Sequence, residues 1–338
     1  MMVHTGFFAK LNRLTDRVFF TPLLVLQVTD RCNSRCLMCD FWKKTSGVGI
    51  SPQELEKIVM SAASPIPVTV VVTGGEPLLR DDLFDLWEKL NGRGMRLILN
   101  TNGILLREYV KDVSEIFDRV VVSLDSHDAE TYREIRGCDE FDKVVDGIRA
   151  VVKAGSSVIL AHTLQKKNIL GIADFLAFSR TLEPVRISIR PVDVYSNGYG
   201  RKCEGSCPVE ELLPSIEETS LFSNLLGSVT TEWGRKLRSG LITPPVDGLW
   251  DIRDYFIAAN NGVGFPRKIC NLPYISAIVN PSGGIRQCFF SGPSASPRAL
   301  DCIHEVLNSR DFRDGRRRLK TGKALECEKC VFPYCSDL

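Results

Sequence analysis

The sequence predicts an α/β protein built on a partial (β/α)6 barrel, followed by a small cysteine-rich domain. Apolar segments alternate six times with segments of helical periodicity between residues 23 and 190. These segments are mostly apolar on both faces, which is typical of strands in a parallel sheet covered on both sides. Six units fit an open, three-quarter barrel better than the eight units of a TIM barrel. A second group of cysteines after residue 269 predicts the additional domain.

Composition limits the class of protein. The chain has 338 residues, enough for about two domains, and 44% of them are hydrophobic. The formal net charge of +2 gives no reason to expect nucleic acid as a partner. We find neither a signal peptide nor an apolar run of ~20 residues, so we expect a cytoplasmic protein in a reducing compartment, with no membrane contact. The basic segment 313–323 is expected to be the solvated face of a helix.

The predicted elements follow one another in a regular order. Residues 1–20 are expected to form an N-terminal helical arm. Strands are predicted over residues 23–28, 68–73, 96–101, 119–124, 157–163 and 185–190. Helices are predicted over residues 51–62, 81–90, 105–116, 143–153 and 169–182, the first opening with a capping box. This alternation predicts right-handed crossovers between parallel strands.

The sequence TDRCNSRCLMCDFW at residues 29–42 carries Cys32, Cys36 and Cys39 directly after the first strand. Three cysteines in one short loop predict a metal-cluster site. Zinc loops usually offer two ligand pairs and a closed tetrahedral site, whereas a 4Fe-4S cluster has four iron corners. Three thiolates therefore leave one iron open to an exogenous ligand. A structural zinc loop or a redox-active trio is the alternative.

This C-x3-C-x2-C spacing resembles the signature of the radical S-adenosylmethionine (radical SAM) enzymes. The resemblance implies that the open iron chelates the methionine part of SAM. It also implies that SAM is cleaved reductively to a 5'-deoxyadenosyl radical, which abstracts a substrate hydrogen. Phe41 matches the position whose backbone contacts the adenine in that family. Met38 departs from the pattern, because the residue before the third cysteine is often aromatic.

A glycine pair and a glutamate follow the second strand, in Gly74, Gly75, Glu76 and Pro77. Ligands of parallel α/β sheets lie at the carboxyl ends of the strands, where this turn is placed. The two glycines allow a close backbone approach. The turn resembles the GGE motif of the same family, which implies that it binds the amino group of SAM.

Polar residues also follow the third and fourth strands, at Asn102, Ser123 and Asp125. By the same resemblance, Ser123 and Asp125 lie near the ribose and carboxylate of SAM, and Arg136 pairs with that carboxylate. Arginine suits this role because its planar fork matches a carboxylate bidentately. Turn or capping roles remain the alternative for Asn102 and Asp125. Asn168 is expected to be an N-cap or a SAM contact.

Helical periodicity is lost after residue 191, which predicts a long loop over the barrel mouth. It contains Cys203 and Cys207, which are candidate hydrogen-atom donors to a substrate radical or inert surface thiols. The predicted domains are an arm over 1–20, the barrel core over 21–208, a helical linker region over 209–262 and a cysteine-rich domain over 263–338. A Pro/Gly-rich linker is expected within the third, at 242–250.

The last segment has its own cysteine pattern: Cys270, Cys288, Cys327 and Cys330, with Cys335 as a substitute ligand. A hairpin over 274–280 and 284–290 and a short helix would bring these thiols together. The arrangement resembles the SPASM domain, or its shorter Twitch form, in radical SAM enzymes. The resemblance implies one auxiliary 4Fe-4S cluster. A zinc-ribbon-like site with the same four thiolates is the alternative.

We therefore expect a radical SAM oxidoreductase that dehydrogenates or otherwise modifies a small, sugar-like metabolite. The resemblance implies SAM, a SAM-binding 4Fe-4S cluster, an auxiliary 4Fe-4S cluster and an electron donor such as flavodoxin or ferredoxin. A radical epimerase, a lyase and a peptide-modifying maturase are enzymatic alternatives. An iron-sulfur or zinc protein that senses redox state or scaffolds a partner is the alternative from another class.

Overall fold

A computed structural model describes residues 2–44, 49–62, 68–90, 94–196, 198–201, 208–262, 264–266, 270–290, 303–320 and 325–331. The strands of this part of the chain form one sheet. They are β1 (Leu23–Thr29), β2 (Thr69–Gly74), β3 (Arg96–Thr101), β4 (Arg119–Ser123), β5 (Val158–Leu164), β6 (Arg186–Pro191), β7 (Ile242–Thr243), β8 (Ser276–Val279) and β9 (Ile285–Arg286).

Helices connect these strands and extend the chain at both ends. They are α1 (Met2–Thr15), α2 (Pro52–Ala62), α3 (Leu83–Leu90), α4 (Val110–Ile116), α5 (Ala129–Arg136), α6 (Phe141–Lys153), α7 (Ile172–Arg180), α8 (Val209–Leu212), α9 (Ile216–Ser239), α10 (Val246–Asn261), α11 (Leu272–Ile275), α12 (Ile303–Leu307), α13 (Arg310–Lys320) and α14 (Leu325–Glu328). No helix in the ranges described is both long and apolar enough to cross a membrane.

The strand order is β7-β6-β5-β4-β3-β2-β1-β8-β9, and the first six strands of the chain pair in parallel with their sequence neighbours. Successive right-handed crossovers in such an order place the connecting helices on one face of the sheet. The sheet then curves with its other face inside. The predicted α/β fold with a partial barrel is confirmed, and all six predicted strands are present.

Side chains alternate between the two faces of the strands. On β4, Val120 and Val122 are fully buried, whereas Arg119, Val121 and Ser123, which alternate with them, are only half-buried. The buried set faces the helices, because a Cβ on Gly103 would lie 2.8 Å from Val122 and 3.0 Å from Val144 of α6. Arg119, Val121 and Ser123 therefore face the concave side. This concave face lies below the carboxyl ends of the strands.

Several elements differ from the prediction. The helix predicted over 105–116 begins only at Val110, and α5 was not predicted at all. The predicted linker at 242–250 is wrong, because β7 pairs with β6 there and α10 begins at Val246. The predicted hairpin is present, but its first strand, β8, also pairs in parallel with β1. The hairpin is thus continuous with the barrel sheet. The boundary at residue 263 stays a prediction.

The basic segment near the C-terminus is not wholly solvated. Arg316 on α13 is fully buried, and its Nη2 donates hydrogen bonds to the carbonyl oxygens of Asp16 at 2.9 Å and Leu307 at 2.8 Å. Burial lowers the pKa of Arg316 to about 10. This side chain ties the segment after α1 to the C-terminal helices, a role that a count of basic residues does not reveal.

Candidate active site

The loop that carries the three cysteines, residues 30–40, crosses the carboxyl end of β1 and rests against the end of β2. The amide of Gly75 donates to the carbonyl of Thr29 at 2.8 Å, and that of Glu76 donates to Arg31 at 2.7 Å. A Cβ on Gly75 would lie 2.0 Å from the Arg31 carbonyl oxygen, and one on Gly74 2.4 Å from that of Thr29. Only glycine permits this approach, as expected from the sequence.

The end of α5 holds the other side of the cysteine loop. Arg35 and Leu37 donate backbone hydrogen bonds to the carbonyls of Arg136 at 2.9 Å and Ile135 at 3.0 Å. The helix stops at Gly137, which has φ +66°, and a Cβ there would lie 2.5 Å from the Arg35 carbonyl oxygen. The left-handed glycine thus ends the helix and makes room for the loop.

A third contact comes from the segment after β6. The Tyr199 carbonyl accepts from the amide of Asp40 at 2.9 Å and lies 3.4 Å from the Cys39 sulfur. Tyr199 and Gly200 both have left-handed backbones, with φ of +56° and +77°. A Cβ on Gly200 would lie 3.0 Å from the Phe41 nitrogen. The cysteine loop is therefore held by backbone contacts with the end of β2, the end of α5 and the segment after β6.

The three thiols lie close together in a desolvated place. Burial, with a smaller contribution from charge repulsion by Cys36, raises the pKa of Cys32 and of Cys39 to about 12. Burial also raises the pKa of Cys36, against the opposing charge of Arg136, whose Nη1 is 3.6 Å from the sulfur. Three thiols held in this way become thiolates readily only when a metal supplies positive charge. This donor set fits an iron-sulfur cluster.

Within the described ranges, no three His, Cys, Asp or Glu side chains converge on a point that one metal ion would occupy. A 4Fe-4S cluster needs no such point, because each thiolate binds its own iron. A cavity of about 500 Å³ adjoins the loop and is lined by Cys32, Asn33, Arg35, Trp42 and Lys43. This volume is within the range of small-molecule sites.

Glu76 is completely buried at the centre of a hydrogen-bond network. Its Oε1 accepts from the Leu78 amide at 3.1 Å and the Thr101 hydroxyl at 2.8 Å, and its Oε2 accepts from the Asn102 amide at 2.7 Å. Asn102 in turn donates through Nδ2 to Asn33 of the cysteine loop at 2.7 Å. Burial nevertheless raises the pKa of Glu76 to about 7. The carboxylate joins β2, β3 and the cysteine loop.

Asp125 and Arg136 form a buried ion pair, with Oδ2 and Nη2 2.6 Å apart. Burial alone would lower the pKa of Arg136, but Asp125 and Cys36 beside it raise that pKa overall. Asp125 Oδ1 also accepts from the Thr163 amide at 2.6 Å. One guanidinium therefore contacts both a thiol of the loop and a carboxylate at the end of β4.

Asn168 does not act as the N-cap that the sequence suggested, since its side chain makes no capping hydrogen bond. Its Nδ2 donates instead to the Asp125 and Thr163 carbonyls, both at 2.9 Å, and its Oδ1 accepts from the Gln165 amide at 2.8 Å. Asn168 thus braces the backbone around Asp125. Ser123 is half-buried and faces the concave side.

The structure describes only some of the C-terminal cysteines. Cys270 is half-buried before α11, Cys288 is buried after β9, Cys327 is exposed on α14, and Cys330 is half-buried two residues after that helix. The Cys330 amide donates to the Cys327 carbonyl at 3.4 Å, which bends the chain between them. Cys203, Cys207 and Cys335 lie outside the described residues.

One cysteine near the loop was not singled out from the sequence. The Cys138 sulfur is 3.8 Å from the Ser34 hydroxyl, and Cys138 contributes to the raised pKa of Cys36. Its position directly after Arg136 and Gly137 was the available signal. Thr101 was missed as well, because its sequence context gave no sign of the bond to Glu76.

Comparison with known proteins bears on this site. A profile of the radical SAM superfamily matches residues 26–178. GTP 3',8-cyclase of Clostridium acetobutylicum is 31% identical over 236 residues, covering 65% of this chain and 73% of that protein. A probable GTP 3',8-cyclase of Sulfurisphaera tokodaii is 31% identical over 199 residues, covering 58% of this chain and 62% of that protein.

Two solved structures share the fold over nearly the whole chain. Streptococcus suis SuiB bound to S-adenosylmethionine matches with a TM-score of 0.67 and 15% identity, over 95% of this chain and 75% of that one. Native anSMEcpe with bound AdoMet matches with a TM-score of 0.62 and 17% identity, over 93% of this chain and 87% of that one. At these identities the likeness concerns the fold.

Two glycines with left-handed backbones allow a test of how the cysteine loop is held. Gly137→Ala adds a methyl group against the Arg35 carbonyl, whereas nothing lies within 4 Å of a Cβ on Gly155, which has φ +89°. The free energy of unfolding of Gly155→Ala should fall by only about 1–2 kcal/mol, because its backbone is strained. Gly137→Ala should lose more stability than Gly155→Ala, as measured by thermal unfolding. It should also take up several-fold less iron on anaerobic reconstitution. Equal iron content in the two variants would contradict this account.

Proposed function

Because the chain belongs to the radical SAM superfamily, we propose that it is an enzyme that holds a 4Fe-4S cluster through Cys32, Cys36 and Cys39 and modifies a small, sugar-like metabolite. The observation that carries this proposal is the set of three neighbouring thiols, one buried and two half-buried, beside a cavity of about 500 Å³. When bound, the cluster and SAM supply reductive cleavage to a 5'-deoxyadenosyl radical, which removes a substrate hydrogen. We place the reaction in the cytoplasm, with electrons from a flavodoxin or ferredoxin.

Glu76 is proposed to bind the amino group of SAM. An ionised carboxylate has about four acceptor positions. Internal donors fill three of them, two on Oε1 and one on Oε2. One position on Oε2 remains, and an ammonium there would favour the charged form of a carboxyl group whose pKa burial raises to about 7. Gly74, Gly75 and Pro77 complete this turn.

Arg136 is proposed to hold the SAM carboxylate while it fixes Asp125 and Cys36. A guanidinium has five N–H donors, and the two observed contacts use one on each Nη. Its Nε has no hydrogen-bond partner among the described residues. Arg136 thus retains donors for a second anion. Ser123, Asp125 and Asn102 are proposed to line the ribose side, and the Phe41 backbone the adenine side.

The outcome of the reaction depends on where an electron goes. We propose that Cys270, Cys288, Cys327 and Cys330 hold an auxiliary cluster, with Cys335 as the substitute ligand. Such a cluster would accept one electron from the substrate radical, which would also release a proton to solvent, and the result would be net dehydrogenation. Cys203 or Cys207 would instead donate a hydrogen atom and give epimerisation, and the thiyl radical left behind would be returned to the thiol by an electron from the flavodoxin or ferredoxin and a proton from solvent.

A ring-forming, redox-neutral reaction is the second candidate. It is favoured by the relatives at 31% identity, whose name, GTP 3',8-cyclase, denotes a cyclisation of a small nucleotide. The same names support a small molecule as the substrate. Peptide modification rests on structural likeness at 15% identity, which concerns the fold.

The cysteine trio is tested by single replacements. Cys32→Ala, Cys36→Ala and Cys39→Ala should each abolish 5'-deoxyadenosine formation with dithionite and SAM under anaerobic conditions, because two thiolates hold the cluster too weakly. Cys138→Ala is the matched control: it removes a neighbouring thiol that is not a proposed ligand and should leave turnover intact. Turnover in any of the three variants would overturn the assignment. No product from the parent protein would favour a redox sensor or scaffold.

The role of Glu76 is tested by Glu76→Gln, which keeps the shape of the side chain and removes its charge. SAM affinity should fall by about tenfold, because the loss of one charge-assisted hydrogen bond weakens binding by about that factor. Thr101→Val is the control, because it removes one of the internal bonds to Glu76 without touching the charge. Calorimetry on reconstituted protein of equal iron content provides the measurement. If both variants lose affinity equally, Glu76 acts through the fold alone.

The auxiliary cluster is tested by iron content. The variant with Cys32, Cys36 and Cys39 all replaced by Ala should still take up about four irons per chain, against about eight for the parent. Further replacement of Cys288 by Ala should abolish the remainder, whereas further replacement of Cys138 should not. Zinc in place of iron, without charge-transfer absorbance, would show a structural C-terminal site and remove the electron acceptor that dehydrogenation needs.

A further inference from the structure

Three arginines stand on the concave face of the barrel, away from the cysteine loop. Arg96, Arg119 and Arg186 are the first residues of β3, β4 and β6. The register places them all on the concave side, since Ile98, two residues after Arg96, pairs with Arg119. Ile159 pairs with both Val121, two residues after Arg119, and Arg186. All three arginines are half-buried.

These three side chains form a basic group, and little negative charge lies nearby to balance it. Among the described residues, none of the three forms an ion pair, and the Arg119 Nε is buried without a hydrogen-bond partner. Burial, and the charges of Arg186 and Arg96, lower the pKa of Arg119, and Asp118 is the acid that opposes them. Asp118 is itself engaged, because its Oδ2 accepts from the Leu97 amide at 2.7 Å.

Mutual repulsion and incomplete hydrogen bonding make this arrangement costly for the fold alone. Uncompensated arrangements of this kind persist where function needs them. Arginine forks match the oxygens of phosphate and carboxylate groups bidentately, and partial burial strengthens such contacts. A bound anion would both neutralise the repulsion and fill the open donors.

We propose that Arg96, Arg119 and Arg186 bind an anionic group of the substrate, a phosphate or a carboxylate. This inference rests on the proposed function, because it assigns the charge class of the molecule that the enzyme modifies. The other end of the substrate lies at the carboxyl ends of the strands, beside the cysteine loop.

The strand geometry also sets the length of that substrate. Arg190 is on the same face of β6 as Arg186, and their Cα atoms are separated by roughly 13 Å along the strand. Arg190 is half-buried, and its Nε has no hydrogen-bond partner in the part of the chain described. Arg190 is the next-to-last residue of β6, so it lies at the loop end of the strand, whereas Arg186 lies at the other end. A single small anion does not span this distance, so the proposed substrate is an extended molecule with its anionic group at one end.

The experiment measures anion binding by the intact, reconstituted protein at low salt. Inorganic pyrophosphate is the phosphate probe and citrate the carboxylate probe, each followed by thermal unfolding and calorimetry. Arg119→Gln and Arg186→Gln should weaken binding of the preferred probe by about tenfold or more. Arg149→Gln is the matched control, because Arg149 is exposed on α6, on the helical side of the sheet, and should bind like the parent.

Stability of the anion-free variants separates a binding role from a structural one. Removal of one of three repelling charges should leave the melting temperature unchanged or raise it, and the anion-induced rise should be lost. A lower melting temperature together with an unchanged response to anions would show that the arginines serve the fold and would overturn the inference. Failure of the parent to bind either probe would also overturn it.

The two probes distinguish the source of the charge, since tighter pyrophosphate binding assigns a phosphate and tighter citrate binding a carboxylate. Formation of 5'-deoxyadenosine without substrate, measured in the same variants, keeps this test apart from the proposed function. If the parent protein forms no 5'-deoxyadenosine, the proposed function is refuted. Retention of the product, with anion binding independent of Arg119 and Arg186, refutes the present inference alone.

Discussion

The close packing of the cysteine loop against its neighbours is the constraint on which the rest of the site depends. The loop that carries the three thiols, one buried and two half-buried, has no helix or strand of its own to satisfy its backbone groups. The end of β2, the end of α5 and the segment after β6 supply those partners, through bonds of 2.7–3.0 Å. Such bonds require backbones in contact, so Gly75, Gly137 and Gly200 stand where a Cβ would collide. Glycine is therefore required at these positions by the contact with the loop and not by the strand or helix that comes before each one.

This dependence explains what the sequence could predict. The strands were predictable because most of their residues are apolar, as in buried parallel strands, and Gly74 to Glu76 because a motif is local. The hairpin strand β8 was predicted, but its parallel pairing with β1 was not, because the two strands are some 250 residues apart in the sequence. α5 is short and polar, and its signals, the Asp128 cap and the terminal Gly137, become visible only once its position against the loop is known. Arg136 was identified, but its bond to Asp125 depends on tertiary distance.

The barrel contains two kinds of charged cluster, one buried and one half-buried. Asp125 and Arg136 compensate each other at 2.6 Å, and both are held by further hydrogen bonds, so their desolvation is largely offset. The arginines that begin β3, β4 and β6 have no such compensation among the described residues. The first arrangement is complete within the protein and positions Cys36. The second is incomplete and gains from a ligand of opposite charge.

The segment after β6 connects the cysteine loop to the C-terminal hairpin. The Tyr199 ring packs against Phe289 and Phe290, with centroids 5.1 and 6.1 Å apart, and its carbonyl contacts the loop at Asp40 and Cys39. A left-handed backbone at a tyrosine costs about 1–3 kcal/mol and persists only where the surroundings fix it. Here the hairpin fixes the ring and the loop fixes the carbonyl. Tyr199 therefore contacts both the segment of the C-terminal domain that carries Cys288 and the cysteine loop at Cys39.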